Sequence, residues 1–162
     1  MRINRRQIFV FVLLLMAWGM VACNKEVVYS HYEHTPQSGW EKNDTLIFQI
    51  PPVTESGIYE EILGVRIRNG YPFQGLALVI DQTVYPPKQH TRIDYHCNLI
   101  DHDGTPLGNG ISYLQYEFHI KEIRLEKGDS IKTYIRHNMK REMMPCITDI
   151  GIKMKKKKQT YL

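Results

Sequence analysis

The sequence of 162 residues predicts an all-β fold: an antiparallel β-sandwich of about seven or eight strands behind an N-terminal lipoprotein signal peptide. Three observations carry that expectation. Apolar residues recur at every second position in several separate runs, the pattern of strands with one buried face and one wet face. Turn-forming pairs fall between those runs, at the spacing of an antiparallel sandwich and not of alternating strands and long helices. The chain opens with a cationic start, a short apolar run and a cysteine.

That opening is read first. Arg2, Arg5 and Arg6 precede an uncharged apolar run from Ile8 to Val21, and Met20-Val21-Ala22 leads into Cys23. The run is shorter than the ~20 apolar residues that span a bilayer and fits the h-region of an export signal. A small residue directly before a cysteine resembles the lipobox of bacterial lipoproteins, with Met20 standing where leucine is commoner. In that class the signal, residues 1–22 here, is removed and the Cys23 thiol is lipidated. The alternatives are a secreted protein cut near Ala22 or an uncleaved anchor. One acyl chain holds a protein reversibly, and two or more hold it stably. The expected location is therefore the bacterial cell envelope, with the membrane as a partner through the lipid.

Removing the signal leaves 140 residues, enough for one domain with a real core. The formal charge of +4 is unevenly placed. Three cations lie in the signal and five in the run Lys153, Lys155, Lys156, Lys157 and Lys158. Cys23 to Ile152 carries 13 basic against 17 acidic residues. A nucleic-acid-binding domain clusters Lys and Arg on one face, so no nucleic-acid partner is expected.

Residues 23–40 read as lipid anchor and tether, polar and aromatic by turns, with Val27, Val28 and Tyr32 suited to a sheet edge. The sandwich is expected over 41–154. Leu46, Phe48 and Ile50 alternate until Pro51-Pro52 stops them. Val65-Arg68 and the stretch from Leu76 to Ile80 follow, then Ile93, Tyr95, Cys97 and Leu99. Leu114, Tyr116, Phe118 and Ile120 give the strictest alternation, and Ile150, Ile152 and Met154 the last. Asn69-Gly70, Pro86-Pro87, Asp103-Gly104 and Lys127-Gly128-Asp129 supply turns between them. Ile131, Ile135, Met139 and Met143 recur at a spacing of four, which fits a short helix from Thr133 to Met144. The β-branched residues at its start favour instead a strand ending near Asn138. The basic tail, 155–162, reads as a solvated, frayed terminus, with contact to anionic lipid as the other reading.

Reactive constellations are sparse. Asp101-His102-Asp103-Gly104 begins like a calcium loop, but the twelfth residue from Asp101 is Ser112, not the bidentate Glu such a loop needs. A hairpin turn is the better reading. The seven histidines show no metal-ligand spacing, and His96 and His119 fall on the polar phase of strands, so no metal and no cofactor are expected. There is no Gly-x-Ser-x-Gly elbow, and Glu60 and Glu61 alternate faces on a strand. The expectation is a protein that is not an enzyme. With Cys23 lipidated, Cys97 and Cys146 remain in a compartment that permits disulfides. Two readings stand: a bridge closing a loop of ~50 residues, worth ~4 kcal/mol in the chain-entropy model, or Cys97 as a small buried hydrophobe. Trp40, Tyr59, Tyr71, Phe73, Tyr113 and Tyr116 fit a core or its rim. Tyr71 and Phe73, beside a turn, are the best candidates for an exposed surface that binds envelope glycan or peptide.

Several segments together resemble the gliding-motility lipoprotein family GldH. They are the lipobox ending at Cys23, Tyr29 through Trp40 with Asp44 and Phe48, and Ile67-Arg68-Asn69-Gly70-Tyr71-Pro72-Phe73 running into Leu76. Asp103 through Gly110 is the third match. Tyr134-Ile135-Arg136-His137-Asn138-Met139, continuing through Ile147 to Ile152, is the fourth. Met144-Pro145-Cys146 departs from the family pattern before the final strand. The resemblance implies a cell-envelope lipoprotein of gliding bacteria, needed for surface motility and linked to the type IX secretion apparatus. Its partners would be other gliding or secretion envelope proteins. The family has no catalytic residues to carry over, so only Cys23 transfers.

Overall fold

A computed structural model describes residues 26–158, which form an antiparallel sandwich. Cys23 and the signal lie outside the described residues. Ten strands follow in chain order: β1 Val27–His34, β2 Trp40–Glu41, β3 Leu46–Ile50, β4 Gly57–Arg68, β5 Gly75–Tyr85, β6 Gln89–Asn98, β7 Tyr113–Leu125, β8 Ser130–His137, β9 Met143–Met144 and β10 Ile147–Lys156. One sheet has the order β1-β10-β4-β7, the other β3-β8-β5-β6, and β2 pairs with β9 alone. The chain crosses repeatedly between the two four-stranded sheets, the connectivity of an eight-stranded jelly roll.

Alternation decides which residues meet between the sheets. From the first sheet come Tyr59, Leu63, Val65 and Ile67 of β4 with Ile150, Ile152 and Met154 of β10. From the second come Leu46, Phe48 and Ile50 of β3, Leu78 and Ile80 of β5, and Ile131 and Ile135 of β8, all buried. Burying each such aliphatic side chain is worth ~1.5–3 kcal/mol against exposure. Trp40 closes the core at one end, its indole N–H donating to the Asp44 carbonyl at 2.9 Å. His137 packs edge-on against that ring at 5.3 Å. The His137 ring nitrogen Nε2 donates to the Trp40 carbonyl at 3.1 Å. Burial lowers the His137 pKa, which holds the imidazole neutral.

Four expectations change. The tether of residues 23–40 contains β1, because Val27 to His34 pair along their length with β10. The sandwich therefore begins at Val27 and not at residue 41. No helix forms from Thr133 to Met144. The β-branched start wins, β8 runs to His137, and Met143–Met144 form the short β9. The lysine run is not frayed as far as it is described, since β10 continues to Lys156. Its lysines pair with glutamates on neighbouring segments: Lys153 with Glu117, Lys156 with Glu55, Lys157 with Glu122 and Lys158 with Glu26. Finally, Cys97 and Cys146 are both free thiols, so the bridge is absent. Cys97 is fully buried in the core, and burial pushes its pKa up to about 12.

The two ends of the sandwich differ. At the end where β1 begins, the connections 51–56, 86–88 and 126–129 are tight and tied together. The Val53 amide donates to Asp129 at 2.8 Å, and the Lys127 amide donates to the Ser56 hydroxyl at 2.9 Å. At the opposite end lie the connections 35–39, 69–74, 99–112 and 138–142, of which 99–112 is the longest. These ends are called the proximal and distal poles, the proximal one being where β1 begins.

Candidate functional site

Among the described residues, the distal pole carries the three most exposed large apolar side chains. The connection 99–112 is held by its own backbone: Leu99 donates to Gln74 at 2.9 Å and Leu107 to Leu99 at 2.9 Å. Asn109 and Gln115 exchange both backbone bonds, at 3.0 and 2.9 Å. The Asn69 amide donates to the Ile111 carbonyl at 2.8 Å. Gly110 turns the chain at φ 136°, where a Cβ would collide with the Tyr113 carbonyl. So anchored, the loop presents Leu107 at 54% exposure, Ile111 at 91% and Tyr113 at 57%. An isoleucine this open has no role in folding, since it buries almost nothing.

Two shallow depressions flank this ridge. Asn98, Asn109, Gln115, Glu117 and Phe118 line one. Thr35, Gln37, Arg66, Arg68 and Thr148 line the other, with Tyr113 at its rim. The Arg66 guanidinium lies 3.9 Å from the centre of the Tyr32 ring, and its Nε donates to Gln115 Oε1 at 3.1 Å. Arg68 reaches the Gln37 carbonyl at only 3.5 Å, and its buried Nε has no partner. Tyrosine and arginine are among the side chains enriched at protein-contact surfaces.

The residues singled out from sequence fall differently. Tyr71 is 6% exposed and its hydroxyl donates to the Gly75 carbonyl at 2.9 Å. It is a core residue, not a surface platform, and burial raises its pKa. Phe73 packs edge-on against it at 5.6 Å and stays partly exposed, with the Arg141 guanidinium 5.9 Å away. Trp40, Tyr59 and Tyr116 are likewise buried, while Tyr113 is open. Asp101, His102 and Asp103 bring their ligand atoms within 4.8 Å of one another, all exposed. Their carboxylates are engaged by the turn itself. Asp101 Oδ1 accepts from the His102 amide at 2.7 Å and Asp103 Oδ1 from the Thr105 amide at 3.0 Å. His96 and His119 face solvent. Leu107, Ile111 and Arg68 escaped the sequence reading. The one available signal was an isoleucine set among turn residues in Asn109-Gly110-Ile111-Ser112.

Comparison with known proteins bears on the whole domain. A chain from Flavobacterium johnsoniae, "Gliding motility lipoprotein GldH", is 29% identical over 154 residues, covering 90% of this chain and 95% of its own. The "Gliding motility lipoprotein GldH homolog" of Christiangramia forsetii is 21% identical, over 92% and 93% of the two chains. Among solved structures, the mosquito-larvicidal Cry4Aa toxin from Bacillus thuringiensis has a TM-score of 0.45 at 13% identity, over 80% of this chain and 21% of the toxin. A family 35 carbohydrate binding module from Clostridium thermocellum has a TM-score of 0.33 at 14% identity, over 78% and 89%. Likenesses this distant carry neither fold nor ligand to this chain. The family model described as GldH lipoprotein matches residues 27–154, from the first residue of β1 almost to the end of β10, and the chain belongs to that family.

Proposed function

We propose that this chain is a lipid-anchored lipoprotein of the cell envelope that supports gliding motility and the associated type IX secretion machinery. It acts through protein–protein contacts and without catalysis. Cys23 carries the lipid, and the distal pole carries the contacts. The observation behind the second half is the ridge of Leu107, Ile111 and Tyr113 beside Arg66 and Arg68, at the pole remote from the anchor. Support for the first half comes from family membership, from relatives named for gliding motility, and from the lipobox before Cys23.

Absence of catalysis is supported by how the polar groups are used. Asp101 and Asp103 hold their own turn, and Asp149 lies 2.5 Å from His34 Nδ1. The rival reading, an envelope module that binds glycan or peptide through Tyr71 and Phe73, loses its first residue to the core. Deleting the gene and scoring colony spreading together with secretion of type IX cargo is the test. Loss of either supports the proposal, and unchanged behaviour in both overturns it.

A further inference from the structure

We infer that the proximal pole lies on the headgroup layer of the membrane that holds the lipid, with an anionic lipid surface as its partner. This deepens the proposed function and rests on Cys23 being the lipid-bearing residue.

The number of residues between Cys23 and the first pairing of β1 carries the inference. β1 pairs with β10 from its first residue, Val27 opposite Lys155, and the Lys156 amide donates to the Glu26 carbonyl at 2.7 Å. The backbone is thus fixed from Glu26 onward, leaving Asn24 and Lys25 between the lipid cysteine and the sandwich. Three Cα steps reach ~11 Å at most. The twelve residues of β4 rise ~40 Å from the proximal to the distal pole. A leash far shorter than the body it holds keeps the proximal pole within reach of the headgroups.

The surface of that pole suits the contact. Lys88, Arg124, Lys127 and Lys155 to Lys158 supply seven cations against six acids, Glu26, Glu55, Glu60, Glu122, Glu126 and Asp129. The other described residues have the opposite balance, ten cations against eleven acids. Three of the lysines pair with these acids, Lys157 with Glu122 at 2.6 Å and Lys158 with Glu26 at 2.7 Å among them. The pairs are open to solvent and weakly held, so their ammonium groups can turn to lipid phosphates. Val28, Ile58 and Tyr85 are exposed around the same end. Apolar bodies beside lysine stems are the composition that settles at a headgroup boundary.

The experiment places single tryptophans at the two poles, Tyr85→Trp and Ile111→Trp, with buried Trp40 as a common background. The mature lipidated chain is inserted in vesicles of phosphatidylethanolamine and phosphatidylglycerol whose acyl chains carry bromine, which quenches nearby tryptophan. Quenching of the Tyr85→Trp signal several-fold above that of Ile111→Trp is expected. Equal quenching, the reverse order, or none at either position overturns the orientation. Intact mass and flotation report the anchor separately. A chain without acyl mass on Cys23 sinks both readings, whereas an acylated, floating chain with equal quenching sinks the orientation alone.

Discussion

Glu61 and Gln82 face each other across the middle of the sandwich, the Gln82 amide donating to Glu61 Oε1 at 2.7 Å with both residues buried. The same amide nitrogen reaches the Thr133 hydroxyl at 3.2 Å. The remaining oxygens, Glu61 Oε2 and Gln82 Oε1, are both without partners. Both are acceptors in a carboxylate–amide pair, whereas a protonated carboxyl can donate as well as accept. Burial raises the Glu61 pKa, against a smaller opposing effect of Lys121. The carboxyl is accordingly held as a neutral acid bridging the two sheets.

The contribution of Glu61 to stability should therefore fall as pH rises. A carboxyl whose folded pKa lies above its unfolded value of ~4.3 stabilises fully below that value. The contribution is lost as pH climbs through the folded pKa. Denaturant unfolding across the acidic to neutral range should show that decline, and Glu61→Gln should flatten it. A wild-type profile as flat as that of the variant would contradict a protonated Glu61. Gln82→Leu, which strands the acid, should cost about 1–3 kcal/mol.

Tyr32 covers two glycines on the outer face of the first sheet. Its ring lies where a Cβ on Gly151 would stand 2.6 Å from it, and a Cβ on Gly64 would meet its hydroxyl end. Ring cover of a glycine floor compensates for the missing side chains. Gly151→Ala should cost about 1–3 kcal/mol through overpacking. Adding Tyr32→Ala should recover part of that loss, so the double mutant is less damaged than the sum of the singles. Additive losses in thermal or denaturant unfolding would refute the packing account.

Cys97 and Cys146 should differ in reactivity. Burial withholds the Cys97 thiolate at neutral pH, while Cys146 is partly exposed at φ 65° in the departure before β10. Alkylation of the native chain followed by peptide mass analysis should modify Cys146 first, and Cys97 only at the rate of unfolding. Equal rates would mean that the strand bearing Cys97 opens locally.

Cys23→Ser should leave a folded domain that no longer partitions with membranes. Fractionation should find it soluble, with unfolding unchanged, and cells carrying it should lose spreading as the deletion does. Retention in the membrane fraction would remove the assigned role of Cys23.

The strands were legible where one face had to be apolar. Leu114, Tyr116 and Phe118 alternate with Gln115 and Glu117, and that rhythm needs no knowledge of the partner strand. β1 was less legible because it holds its place through backbone pairing with β10, and only Val27, Val28 and Tyr32 hint at it. The lysines of β10 hid a strand for a related reason. Their charges looked solvated until Glu117, Glu55, Glu122 and Glu26 were brought alongside by other segments. Glu61 was beyond reach, since its neighbour Glu60 looks the same in sequence and only Gln82 on the opposite sheet distinguishes them. At the candidate site, aromatic identity misled. Tyr71 beside a turn turned inward, while the open residue was Ile111, presented by a turn that only a glycine at 110 permits.

The most direct measurement is photo-crosslinking in living cells, with a photoreactive residue at position 111 of the distal pole or position 85 of the proximal pole. Discrete protein adducts from position 111, with none from position 85, are the predicted result. Protein adducts from position 85 alone, or from neither position in cells that spread normally, would contradict a sandwich that holds the membrane at one pole and its protein partners at the other.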